Sequence, residues 1–155
     1  MIDPQRTGIY GRLYAQLEPL VKGKSPSLIA GMATIAALLH AKLRHQSWTG
    51  FYLVAGEDEL HVGPYQGAVA CQILKGRGVC LACACSGKSV VVPDVEAFPG
   101  HIACDSRSRS EIVVPLVKDG RVIAVLDIDS DKLAQFDEDD VAPLARIVAL
   151  LEGLA

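Results

Sequence analysis

Tyr10, Leu13, Tyr14, Leu17, Leu20 and Val21 fall on one face of a helix at about 3.6 residues per turn, and Gly23 marks where that helix should stop. Ser25 and Pro26 pair a capping residue with the residue favoured at the first helical position. They predict a second helix with Met32, Ile35, Ala36, Leu39 and Leu43 as its apolar stripe. From Trp48 the period changes. Residues 48–54 and 60–62 are rich in β-branched and aromatic side chains, and 55–58 reads as the turn of a hairpin. A third short strand is expected at 69–73, then a loop at 75–78, a short helix from Val79 to about Ser86 with Gly87 as its stop, and a strand at 89–92. Residues 93–109 carry two prolines, a glycine and little periodicity, so they predict a long surface loop of the kind that usually serves function. Strands at 110–117 and 121–129 are close enough to form a hairpin. Acidic residues at 137–140 suit a helix N-terminus, followed by Val141, Leu144, Val148 and Leu151 at helical spacing, with Pro143 limiting where that helix begins. The expected class is α+β: a mainly antiparallel sheet of five or six strands, one layer against N- and C-terminal helices, in a single domain over 1–155.

Composition narrows the partners. A chain of 155 residues, half of them hydrophobic and 21% charged, with 22 Pro and Gly together, leaves no room for a disordered, collagen-like or repeat-array reading. The net charge is −3 with no basic stripe, so nucleic acid is not an expected partner. The N-terminus lacks a signal peptide's apolar run and nothing approaches a membrane span, so neither a membrane nor secretion is expected and the location is read as cytoplasmic. All five cysteines, Cys71, Cys80, Cys83, Cys85 and Cys104, fall within 34 consecutive positions. An odd, clustered set in a reducing compartment argues against a disulfide framework and for local thiol chemistry.

Asp127 and Asp129, at i and i+2 of a strand beside an apolar run, share one face. Burial and mutual repulsion would raise such carboxyls, so the pair should hold a cation, receive donors or keep a proton for use, although either alone could simply close the strand. Whether Glu111 joins them depends on the turn. A two-residue turn at Asp119-Gly120 sets Glu111 against Ile128 and points it to the opposite face; a three-residue loop, Lys118-Asp119-Gly120 with Gly120 left-handed, sets it opposite Asp127 on the shared face. The second register is expected. Trp48 and Tyr52, four apart on a strand, are either core residues or the flat wall of a pocket with a polar handle. Cys80 and Cys83 form a C-x-x-C, and His101 and Cys104 lie beyond, but the second zinc knuckle is incomplete, so no metal is expected. A thiol redox centre explains more, with Cys104 accessible in a polar loop and Cys71 and Cys80 available to capture an oxidised sulfur.

Six blocks carry a resemblance: Ser47-Trp48-Thr49-Gly50-Phe51-Tyr52-Leu53, Gly63-Pro64-Tyr65-Gln66-Gly67, Gly76-Arg77-Gly78-Val79-Cys80, Pro99-Gly100-His101-Ile102-Ala103-Cys104-Asp105, Ser110-Glu111-Ile112-Val113-Val114-Pro115-Leu116 and Val125-Leu126-Asp127-Ile128-Asp129-Ser130. In this order they are similar to the signatures of the free methionine-(R)-sulfoxide reductases, which are built on a GAF domain, from about residue 10 to the C-terminus. The resemblance implies thiol-dependent reduction of free methionine (R)-sulfoxide without a cofactor, with thioredoxin as reductant, in a homodimer. It implies Cys104 as the nucleophile, Cys71 and Cys80 as the further redox cysteines with Cys71 the main resolving thiol, Glu111, Asp127 and Asp129 as acidic substrate-binding positions, and Trp48 and Tyr52 as the aromatic wall. The spacing from Cys71 to Cys80 is one residue shorter than in the family, and Leu81 stands where a glycine usually follows. Two other readings are a non-catalytic GAF-type sensor of a small ligand, and a redox or zinc switch built on Cys80, Cys83 and Cys85. Cys83 and Cys85 themselves read as small buried residues.

Overall fold

In the computed structural model, which describes residues 4–102 and 106–155, the apolar stripe of α1 (Pro4–Lys24) buries Tyr10, Leu13, Leu17 and Val21. Helix α2 (Leu28–Lys42) buries Met32, Ile35, Ala36 and Leu39. The cap of α2 is Ser27 and not Ser25: the Ser27 side chain accepts the Ala30 N–H at 3.2 Å, while the Ser25 hydroxyl turns back to the Leu20 carbonyl and closes α1.

Among the described residues six strands form one antiparallel sheet: β1 (Gln46–Gly56), β2 (Glu59–Gly67), β3 (Ile73–Lys75), β4 (Val90–Val92), β5 (Ser110–Lys118) and β6 (Arg121–Ser130), in the order β3-β2-β1-β6-β5-β4. Strand β2 runs on past residue 62, and the expected strand at 69–73 pairs only from Ile73. Gly67 explains the break. Its φ of +121° suits glycine, and a Cβ there would stand 2.7 Å from the Ser47 carbonyl oxygen, so the chain leaves the sheet and carries an exposed Val69 with it.

Phe51, Ile112, Val114, Leu126 and Ile128 alternate onto the face covered by α1, α2 and the C-terminal helix α4 (Val141–Val148), which form the larger core. The opposite face is covered as well. Helix α3 (Val79–Ser86), ended by Gly87 in the left-handed conformation, packs on β5 and β6 and encloses a second core with Val113 and Val125, so the single sheet layer lies between helices on both faces. Asp137 and Asp140 form a capping box ahead of α4, where Pro143 falls in the first turn and no N–H is missed. The buried Asp140 accepts the Tyr10 hydroxyl at 2.8 Å and lies 3.3 Å from Arg6, tying α1 to the C-terminal segment. No helix of the described residues is long and apolar enough to cross a membrane.

The β5–β6 hairpin differs from its expected register. Lys118 pairs with Arg121, so the turn has two residues, Asp119 at φ 51° and Gly120 at φ 77°, both left-handed as a type I′ turn requires. Taken alone, that turn would send Glu111 to the wrong face. A bulge corrects it: Val117 faces Val122 but Leu116 faces Ala124, and Ile123 is the extra residue. Glu111 therefore lies opposite Asp129, and Val113 opposite Asp127. The expected partner of Glu111 was two residues off, yet the face is the shared one because a shift of two preserves the side-chain alternation.

Candidate functional site

The second core opens into a cavity lined by Trp48, Tyr52, Cys80, Glu111, Asp127 and Asp129, with Arg77 and His101 toward its edge. Gly50 makes its aromatic wall possible. It pairs with Tyr65 on one side and Asp127 on the other, and with no side chain of its own it lets the Trp48 ring lie over it, 5.6 Å from Tyr52 and 5.2 Å from Tyr65 in near-parallel stacks. A Cβ at Gly50 would stand 2.3 Å from Tyr65 Cβ and 2.6 Å from Trp48 Cη2. Gly50→Ala is therefore expected to cost about 1–3 kcal/mol through forced repacking, read as a melting temperature lowered by several degrees.

The polar tips of the wall face the crossing segment. Trp48 Nε1–H donates to the Ala68 carbonyl at 3.2 Å and the Tyr52 hydroxyl to the Cys71 carbonyl at 3.1 Å, so the two rings hold residues 68–71 over the cavity. Cys71 is disulfide-bonded, whereas Cys80, Cys83 and Cys85 are free thiols.

Beneath the wall, Glu111 and Asp127 are each 5% exposed. Ligand atoms of Cys80, Glu111 and Asp127 lie within 4.8 Å of one another, with the Cys80 thiol 3.9 Å from Glu111 Oε1. Burial first, then the charges of Asp127 and Asp129, push the Glu111 carboxyl well above the usual carboxylate range. Burial raises Asp127 to about 6, eased by Glu111 and Cys80 beside it. At about 6, Asp127 is largely ionised at neutral pH, and its Oδ1 is buried without a hydrogen-bond partner. Asp129, nearer the surface, receives the Ser108 hydroxyl at 3.5 Å. Burial, Asp127 and Glu111 together raise the Cys80 thiol well above its ordinary value. His101, lowered by burial, stands 4.0 Å from Glu111 Oε2.

The structure thus brings Trp48, Tyr52, Cys80, Glu111, Asp127 and Asp129 around one cavity, with Cys71 on the segment above. Cys104 lies outside the described residues. Cys80, Cys83 and Cys85 do not converge: Cys83 meets the Val113 carbonyl at 3.8 Å, and Cys85 is exposed rather than buried, near the Glu57 carbonyl. Tyr65 and the contact of His101 with Glu111 were not foreseen. Counting back from the expected turn at 55–58 would put Gly63 opposite Gly50; the register that puts Tyr65 there is set by two irregularities in the β1–β2 ladder, and the contact between His101 and Glu111 has no local signal.

A two-layered helical cover over a six-stranded antiparallel sheet, with a cavity between the sheet and α3, is the arrangement of a GAF domain, and the family model described as "GAF domain" matches residues 32–152. A free methionine-R-sulfoxide reductase of Escherichia coli is 42% identical over 148 residues, 95% of this chain and 88% of that protein. GAF domain-containing protein A of Dictyostelium discoideum is 50% identical over 93% of this chain and 90% of its own. The X-ray structure of the free methionine-R-sulfoxide reductase from Neisseria meningitidis in complex with its substrate superposes with a TM-score of 0.90 at 45% identity, covering 99% of this chain and 90% of that one. The chain belongs to the GAF-domain family of free methionine-R-sulfoxide reductases.

Proposed function

We propose that this protein reduces free L-methionine (R)-sulfoxide to methionine at the cavity between α3 and the sheet. The observation that carries the reading is the buried pair of Glu111 and Asp127 under the aromatic wall, the Glu111 carboxyl pushed well above the usual carboxylate range and an oxygen of Asp127 left unpartnered. A free amino acid supplies what that oxygen lacks. Its ammonium is bound by Asp127 and Asp129, and its methyl sulfoxide group packs against Trp48 and Tyr52. A methionine within a peptide has no ammonium to offer and leaves a buried charge uncompensated, at a cost of several kcal/mol.

The Cys104 thiolate attacks the sulfoxide sulfur while Glu111 gives its proton to the oxygen. The sulfur–sulfur bond so formed and the sulfur–oxygen bond of the substrate then both break as the hydroxyl passes to the Cys104 sulfur, so that methionine departs reduced by two electrons and Cys104 is left as a sulfenic acid. The Cys71 thiol then attacks the Cys104 sulfur and expels water, forming a disulfide that a dithiol reductant of the thioredoxin type reopens by exchange. Cys71 acts before Cys80 because the Cys80 thiol, buried among carboxyls, is held protonated. No cofactor enters the reaction, and the working unit is a homodimer.

The test is oxidation of NADPH through thioredoxin and its reductase, with the separated epimers of free methionine sulfoxide and with the N-acetylated R epimer. Turnover of the free R epimer alone is expected. Equal rates with the acetylated compound would remove the ammonium from the account. Binding of the R epimer with no turnover, under thioredoxin or dithiothreitol alike, would favour the sensor reading.

A further inference from the structure

We propose that the cavity floor is also a binding site for a borderline-soft divalent cation, Zn²⁺ above all, held by the Cys80 sulfur and the carboxylates of Glu111 and Asp127. Three kinds of observation point there. The ligand atoms of these residues come from α3, β5 and β6 and meet within 4.8 Å, all three residues being buried. The Cys80 sulfur and Glu111 Oε1, 3.9 Å apart, can both reach a zinc ion at about 2.3 and 2.1 Å with an angle of about 125° at the metal. A pair as wide as 4.8 Å would close by about 1 Å, a small side-chain adjustment for a tetrahedral set. Independently, Asp127 Oδ1 is buried with no donor against it. His101 Nε2, 4.0 Å from Glu111 Oε2, is placed to orient that carboxylate or to serve as a fourth ligand.

The donor set selects the ion. A thiolate beside two carboxylates suits zinc and its chemical relatives, whereas calcium and magnesium demand six or more oxygens or retained water and gain nothing from sulfur. Bound zinc would bring the three negative charges of two carboxylates and a thiolate from −3 to −1, in a place where isolated charge is costly. The C-x-x-C pattern does not supply this site, since Cys83 faces the Val113 carbonyl; the partners of Cys80 come from the neighbouring strands. Because the metal takes the Asp127 oxygen assigned above to the substrate ammonium, zinc and the amino acid exclude each other. That competition, though not the binding itself, rests on the proposed function.

The experiment uses the full chain carrying the Cys71 disulfide, the state in which Cys80 is free. Zinc chloride alone is titrated by calorimetry, and cobalt chloride by absorption, where a thiolate–cobalt charge-transfer band reports a sulfur ligand. One equivalent per chain is expected. Cys80→Ser should weaken binding by at least about 100-fold and abolish the band, while His101→Ala should weaken it about 10-fold or more. Cys85→Ser should change neither. Where Cys80→Ser fails to fold, Asp127→Asn serves in its place, with an expected loss of the same order. Absence of saturable binding, or a Cys80→Ser protein binding within threefold of the parent, overturns the site. Zinc that binds through Cys80 but is not displaced by free methionine (R)-sulfoxide upholds the site and overturns the placement of the substrate on Asp127.

Discussion

Replacing Asp127 by asparagine is expected to lower kcat/KM for free methionine (R)-sulfoxide by about 100-fold or more and, at the same time, to raise the melting temperature by several degrees. Both effects have one source. Asp127 is 5% exposed with a partnerless oxygen, so its charge is costly until a cationic ligand arrives. An uncompensated buried charge is worth about 3–5 kcal/mol against its ion-paired state, and asparagine forfeits that attraction for the ammonium. The stability effect follows from proton linkage. With a folded value of about 6 against about 3.9 in the unfolded chain, the folded protein holds the proton longer. The contribution is fully present below about pH 4 and is lost as pH rises through 6, a difference of roughly 3 kcal/mol at neutrality. Asparagine cannot ionise. Thermal melts of the two proteins should diverge above pH 6 and converge near pH 4. Since kcat/KM reports the free enzyme, the parent's profile should also fall below about pH 6. A variant both inactive and less stable at pH 7.5 would contradict this account.

Cys104→Ser is expected to reduce turnover by roughly 1,000-fold or more, to the floor of the assay, while leaving the binding of free methionine (R)-sulfoxide nearly unchanged. A serine hydroxyl is scarcely ionised at neutral pH, and its oxygen cannot accept the sulfoxide oxygen as a sulfenic acid does, so neither half of the chemistry survives. The acids and rings assigned to binding remain. Cys71→Ala separates the steps: it should release about one methionine per chain and then stop, with Cys104 trapped by a sulfenic-acid reagent, because the step that expels water has lost its thiol. Calorimetry of Cys104→Ser and single-turnover product analysis of Cys71→Ala check the pair. Methionine formed by Cys104→Ser beyond one per chain would move the nucleophile elsewhere.

The fold was legible because its signals are local. The stripe Leu13, Leu17, Val21 can bury itself only as a helix, and the alternation through 121–129 only as a strand with two different faces. The caps and the turns were less legible. Ser25 and Ser27 are the same residue two positions apart, and their roles were decided by which backbone group each hydroxyl could reach. Likewise Val69 and Ala70 have strand composition but no strand partner, because Gly67 turns the chain over the cavity.

The sequence by itself determined that Asp127 and Asp129 share a face and that all five cysteines fall within one stretch of 34 positions, since the alternation along a strand and the order of residues need no tertiary contact. Only the tertiary structure decided that Glu111 joins them. The two-residue turn would have sent it to the other side, and a bulge near Ile123 brought it back. It also decided that Cys80 sits among carboxyls while Cys83, one helical turn on, does not, and that His101 reaches Glu111. Bulges, helix docking and loop crossings are set by the packing of residues distant in the chain, and no window of sequence holds both partners.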